Sequence, residues 1–315
     1  MWKSEGRAVY NPKSFAELVR DASQAVYEAV TDGLNRLEVE FPPLPGQDSD
    51  GYKNASDSYV DANVQFALSF ARQMSERKGK KVHILVPDQN EYRRSYNMFK
   101  STLDLCEGVT MGYLSENRPG PFSGFGGLFG KAVDPRVTSG EAAKQADIFV
   151  AINCSTVELA DLERYTEAVI GERPVVLWNT ELDLLRADLG LLGFPSKDLQ
   201  YRFLSFFTPV FYVRQRDYSK SVNVAPFLIN YSGCLFREYP GPWQVMLRQD
   251  SGSYACVAED KRRYNLGEFK EALMEAMGLN TEEKGSAMEF LRRGYKRSTW
   301  WEDAENEEKS HNWRS

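Results

Sequence analysis

At 315 residues, with 42% hydrophobic and 27% charged side chains, the chain has ordinary globular proportions and is long enough to bury roughly three quarters of its unfolded surface. No apolar run approaches the roughly 18 residues of a membrane-spanning helix, so a soluble protein is expected. The formal charge of −6 argues against a general phosphate-backbone binder and against a nucleic-acid partner; the basic clusters Arg72, Arg77, Lys78, Lys80, Lys81 and Arg292, Arg293, Lys296, Arg297 read as a solvated helix end and a solvated tail.

Ser14, with Glu17 three residues on, has the spacing of a capping box. It opens a helix whose Phe15, Leu18, Val19, Ala22, Val26, Ala29 and Val30 recur at helical spacing until Gly33. Residues 36–41 form a strand halted by Pro42 and Pro43, and 46–56 are a polar loop. A helix striped by Asn63, Phe66, Phe70 and Met74 ends near Gly79. Residues 82–87 are almost wholly apolar, which suits an interior strand covered on both faces. Asp88 and Glu91 repeat the box spacing before a helix marked by Tyr92, Tyr96, Phe99 and Leu103, and 109–114 is another strand.

Between Ser115 and Ala146 the pattern breaks, because the glycine- and phenylalanine-rich stretch 119–130 is too flexible for a regular element and too apolar for a solvated linker. Regularity returns with a strand at 147–152, a helix introduced by Ser155 and Glu158, and a strand at 174–179. Residues 180–196 read as irregular. From 199 to 259 a short helix precedes several aromatic-rich strands, punctuated by Pro240-Gly241-Pro242 and Asp250-Ser251-Gly252, whose short gaps favour antiparallel pairing. Asn265 and Glu268 form a further box before Leu266, Phe269, Leu273 and Met277. The prediction is an α/β fold: a three-layer, mostly parallel Rossmann-like sheet extended by C-terminal antiparallel strands. It forms one domain over 12–278, with a parallel half over 12–180 and an antiparallel extension over 199–278, followed by a polar, mobile tail over 279–315.

The only glycine cluster fails both nucleotide fingerprints. A P-loop ending at Lys131 needs glycine where Phe125 stands and Ser or Thr where Ala132 stands, and the Rossmann spacing needs glycine at Phe129. The two histidines, His83 in an apolar strand and His311 in the tail, leave almost no material for histidine triads or multi-histidine metal centres. Cys106, Cys154, Cys234 and Cys256 show no C-x-x-C spacing and read as buried thiols. No catalytic residue, metal or cofactor is assigned. Asp88, Asn153 and Asn179, at the carboxyl ends of predicted strands, mark the crevice where an open α/β sheet takes a small ligand, although Asp88 also suits a helix cap. Phe122, Phe125, Leu128 and Phe129 on the loop, with Trp300 and Trp301 on the tail, are candidate partner-binding anchors. Arg202, Arg237 and Glu238 read as structural ion pairs at the sheet margin.

Ala29-Val-Thr-Asp-Gly33, the stretches 36–43, 173–179, 201–207 and 210–212, then Leu235-Phe-Arg-Glu-Tyr-Pro-Gly-Pro-Trp-Gln-Val245 and Val257-Ala-Glu259 together resemble an uncharacterised-domain family of plants, algae and cyanobacteria. The resemblance covers roughly 12–278. Chloroplast members of that family include a photosystem II assembly factor, and related domains are fused to a plastid adenylate kinase. The resemblance implies a non-enzymatic auxiliary factor in the chloroplast stroma, or peripheral at the thylakoid membrane, that assists photosystem II assembly through the CP43 subunit and other assembly or insertion factors. It carries over no catalytic residue. The alternative, motivated by the α/β alternation and the kinase fusion, is an enzyme or sensor binding a nucleotide or phosphorylated small molecule at the carboxyl edge of the sheet. Residues 1–7 have neither the apolar core of a secretory signal nor transit-peptide character, so a plastid location would make this a mature form.

Overall fold

The computed structural model describes residues 5–44, 57–116, 140–221, 225, 227–279 and 297–315. Strand and helix alternate through β1 (Val9–Tyr10), α1 (Phe15–Thr31), β2 (Arg36–Glu40), α2 (Asp57–Lys78), β3 (Val82–Asp88), α3 (Gln89–Leu105), β4 (Val109–Ser115), α4 (Gly140–Lys144), β5 (Ile148–Ile152), α5 (Leu159–Tyr165) and β6 (Val175–Trp178). After α6 (Leu182–Asp188) and α7 (Asp198–Arg202) come β7 (Thr208–Ser221), β8 (Leu228–Glu238), β9 (Trp243–Arg248), β10 (Tyr254–Asp260), α8 (Leu266–Ala276) and α9 (Trp300–Asp303).

All ten strands join one sheet in the order β1-β10-β9-β8-β7-β2-β6-β5-β3-β4. The six from β7 to β4 run parallel. The remaining four extend the sheet antiparallel from β7. This is the mixed architecture expected, with β2 near its middle.

Local chemistry starts the helices where the sequence places them. The Ser14 hydroxyl accepts from Glu17 N at 3.3 Å, the Asp88 carboxylate accepts from Asn90 N and Glu91 N at 2.8 and 2.9 Å, and Asn265 with Glu268 closes a reciprocal box. Each satisfies an N–H that the first helical turn leaves without a partner. At Ser155 the Glu158 carboxylate accepts from Ser155 N at 2.9 Å, while α5 itself begins only at Leu159. Two stretches differ from expectation. Residues 180–196 contain α6, whose Leu182 and Leu185 are buried. Residues 297–315 are packed rather than mobile: Thr299 and Glu302 close a reciprocal capping box at α9, Lys309 N donates to Tyr201 O at 2.9 Å, and Arg263 N donates to Arg314 O at 2.6 Å.

The two faces of the sheet are covered differently. On the first, Leu37 and Val39 of β2, with Phe41 just after it, join Ile148, Val150, Val176, Trp178, Phe211 and Phe236 under α1 and α2 in one continuous apolar core. On the second there are two separate cores. Phe149, Ala151 and Leu177 lie under α5, α6 and α7, while Tyr212, Leu235, Trp243 and Val245 lie under α8. Close packing of α8 requires a glycine beneath it, because a Cβ at Gly233 would lie 2.4 Å from Met246 O and 2.8 Å from Leu273 Cδ2. Between those two cores, β2 presents Glu38 and Glu40.

Candidate functional site

β2 reads Leu-Glu-Val-Glu, and the alternation of a strand sends Leu37 and Val39 to one face and Glu38 and Glu40 to the other. Both glutamates are buried, 1% and 2% exposed, because α6, β7 and the segment before α8 close over them. Buried carboxylates need cationic partners, and the neighbouring elements bring arginines. Asp183, in the first turn of α6, is the hub. Its Oδ1 accepts from Arg186 Nη1 at 2.9 Å, and its Oδ2 accepts from Arg263 Nη2 at 2.8 Å and from the Tyr212 hydroxyl at 3.1 Å. Arg214 and Arg216 of β7 approach the same oxygen at 3.9 and 4.0 Å, and Arg214 Nη1 donates to Glu40 Oε1 at 2.8 Å.

The C-terminal segment roofs this cluster. The Trp313 indole lies under the guanidiniums of Arg186 and Arg263, at 4.7 and 5.0 Å from the ring centroid, a cation–π arrangement. Glu308 fixes the indole by accepting from Trp313 Nε1 and Gln200 Nε2 through Oε1, at 2.8 and 2.7 Å, while its Oε2 accepts from Arg314 Nε at 2.8 Å.

Burial and charge pull the ionisable groups apart. Burial alone raises Asp183, but Arg263, Arg214, Arg186 and Arg216 together hold its carboxyl well below the usual range. Burial pushes Glu40 up to about 7 against the pull of Arg214. Burial also raises Glu38, opposed by Arg186 and Arg263, and Glu38 has no hydrogen-bond partner on either carboxylate oxygen. The Tyr212 phenol is pushed well above its ordinary value by burial. Burial works against Arg263 too, yet Asp183, Tyr212 and Glu38 keep it firmly charged.

Of the sequence-predicted crevice residues, the structure joins two and separates the third. Asn153 and Asn179, both left-handed at φ 56° and 51°, end β5 and β6. Asn63 links them, donating to Asn153 Oδ1 at 2.9 Å and accepting from Asn179 Nδ2 at 2.7 Å, while Asn179 Oδ1 accepts from Phe41 N at 3.0 Å. These amides are engaged in tying the strand ends to α2. Asp88 lies apart, as the cap of α3. Trp301 is buried, its carbonyl accepting from Arg314 Nη2 at 2.8 Å, and Trp300 packs edge-on to Tyr201 beneath Lys197. Neither is the free anchor the sequence suggested, since the capping box turns both toward the domain. Phe122, Phe125, Leu128 and Phe129 lie outside the described residues. Arg202 pairs with Glu163 at 2.8 Å and Glu238 with Arg7, as expected for structural ion pairs; Arg237 stacks over Trp243. The cluster around Asp183 escaped the sequence reading. Its one legible signal is the glutamate alternation in a strand that both flanks cover.

A cleft of about 620 Å³ lies elsewhere, beneath the Tyr239-Pro240-Gly241-Pro242 turn, whose Tyr239–Pro240 bond is cis. Arg7, Gln24, Glu28, Glu238, Gln244 and Lys261 are among its polar lining. Arg7 clasps Glu238 with two N–H donors, one at 2.6 Å, beside it. Among the described residues no group of three or more His, Cys, Asp or Glu is placed to hold a metal ion, and no helix is long and apolar enough to cross a membrane.

No curated protein and no solved structure matches the chain. A family model described as a domain of unknown function, DUF1995, matches residues 12–271, which takes in every strand from β2 to β10 and the whole arginine cluster except its roof. The chain belongs to the DUF1995 family.

Proposed function

We propose that this protein is a non-enzymatic auxiliary factor of the chloroplast that assists photosystem II assembly, acting on CP43 with its insertion machinery from the stroma or the thylakoid surface. Two things support the reading. The motifs resemble a family whose members include the assembly factor Low PSII Accumulation Three. The observation that carries it is the cleft beneath Tyr239: it is built by the most distinctive of those motifs, has the volume of a ligand site, and carries charged and amide groups without a nucleophile and base in contact. Such a cleft holds a segment of a partner. Reversing two of its charges with Glu28→Lys and Lys261→Glu is expected to reduce co-purification of CP43 with the protein at least tenfold while leaving the unfolding midpoint near that of the wild type. Undiminished CP43 recovery would remove the cleft from the mechanism.

A second reading, a sensor or enzyme taking a nucleotide or phosphorylated small molecule at the carboxyl edge, is favoured by the arginines that crowd there. A thermal-shift panel of nucleotides and phosphometabolites tests it, since a ligand at a hundred times its dissociation constant stabilises by about 2.7 kcal/mol.

A further inference from the structure

We infer that the arginine cluster around Asp183 is a binding site for a small oxyanion, a phosphate or carboxylate group entering at the carboxyl edge of the sheet. This rests on the second reading above and gives it an address. The first observation is charge. Arg186, Arg214, Arg216 and Arg263 converge on Asp183, and the only other carboxylate within ion-pair distance of any of them among the described groups is Glu40, on Arg214. Four guanidiniums thus meet two carboxylates in contact, a positive surplus at the contacts themselves. Buried surplus charge is costly unless a counter-charge meets it.

The second observation is unmet hydrogen-bonding capacity. Arg186 Nη2, Arg263 Nε and Nη1, and Arg216 Nη1 are buried without an acceptor. Arg186 is fully buried and the Arg263 side chain is 4% exposed, so bulk water does not satisfy them. Both are pinned to Asp183 and lie over the Trp313 indole; Arg186 Nε also donates to Gln200 Oε1 at 2.9 Å, and Arg263 also lies over the Tyr212 and Trp243 rings. Planar forks held in this way match the paired oxygens of phosphate or carboxylate.

The third observation is access. The Arg214 and Arg216 side chains are 18% and 16% exposed, so the cluster opens toward solvent along β7, at the carboxyl edge where open α/β sheets take their ligands. Ordered water bridging the arginines to Glu38 is the competing account, and it predicts no dependence on added anion.

Thermal unfolding of the full chain, titrated with phosphate, pyrophosphate or citrate at ionic strength held constant with chloride, separates the two. A saturable rise in Tm is expected. Phosphate or pyrophosphate alone assigns the site to phosphoryl groups, and citrate alone to carboxylates. Arg216→Gln is expected to weaken the apparent affinity at least tenfold; Arg216→Lys, which keeps the charge and loses the fork, does the same and serves if the first variant unfolds. Glu38→Gln retains or strengthens binding. Absence of a saturable shift in the wild type, or an undiminished wild-type affinity in both Arg216 variants, overturns the site. A nucleotide or phosphometabolite that stabilises the Arg216 variants as well as the wild type overturns this address while the second reading stands; no response to any compound of the panel removes both.

Discussion

The two faces of β2 are buried to the same degree by opposite chemistry. Leu37, Val39 and Phe41 enter a continuous apolar core, whereas Glu38 and Glu40, one residue away in each case, enter an ionic seam between two smaller cores. The apolar face is non-directional: any well-fitting side chain of similar volume keeps most of its stability. The ionic face is directional and interdependent, because each charge is tolerable only while its partners stay in place. Burial alone therefore says little about what a position does. The first face supplies stability, and the second fixes how α6, β7, the segment before α8 and the C-terminal roof register against one another.

Removing the hub should have the largest effect. Asp183→Ala leaves four guanidiniums around an empty centre, and breaking a buried ionic group from one side costs about 3–5 kcal/mol. Urea unfolding is expected to show that loss together with increased proteolytic sensitivity of residues 297–315, whose Trp313 loses its fixed arginines. Leu37→Ala on the opposite face is the matched control: a loss of about 2–4 kcal/mol from transfer and cavity terms, with the C-terminal segment still protected. Equal proteolytic sensitivity in the two variants would dissolve the distinction between the faces.

The next test exploits acid. His83 of β3 also faces the second side, where its Nδ1 lies 2.7 Å from Thr110 Oγ1, Phe149 packs edge-on, and a Cβ at Gly112 would come within 2.5 Å of Nε2. Burial, assisted by the Arg173 charge, lowers it from 6.5 to about 4. The unfolded chain therefore takes up the proton first, so the stabilising contribution is full above pH 6.5 and is lost as pH falls toward 4. That loss amounts to at most about 3 kcal/mol. His83→Gln should flatten the stability profile between pH 6.5 and 4; an unchanged slope would assign the acid sensitivity to other groups.

These contrasts also show where the sequence was legible. Helix starts were readable because a cap acts within four residues: Ser14, Asp88 and Asn265 needed no distant information. The interior strand β3 was equally clear, since an unbroken apolar run has few other uses. The ionic seam was not, because Glu40, Asp183, Arg214 and Arg263 lie far apart in the chain and meet only through the β2–β7 pairing and the placement of α6. The tail is a different case. Thr299-Trp-Trp-Glu302 has the same capping-box spacing read elsewhere, but the surrounding acidity masked it, and the acidic Glu308 turned out to be an internal partner of Trp313 and Arg314.

The smallest expected change is at Glu38, and it separates a required charge from a tolerated one. Glutamine keeps the shape and removes the charge, and Glu38 has no hydrogen bond to lose where each is worth about 0.5–1.5 kcal/mol, so at pH 5 the variant should lie within about 1 kcal/mol of the wild type. Because burial raises Glu38, the folded protein holds that proton more tightly than the unfolded chain; the benefit is full below the ordinary glutamate value and is lost as pH rises through the folded one. Glutamine stays neutral throughout, so Glu38→Gln should become the more stable protein as pH is raised from 5 to 8, in paired denaturation curves. A variant that instead loses stability with rising pH would show that the ionised Glu38 is itself the counter-charge the arginines require, and the surplus assigned to an external oxyanion would shrink accordingly.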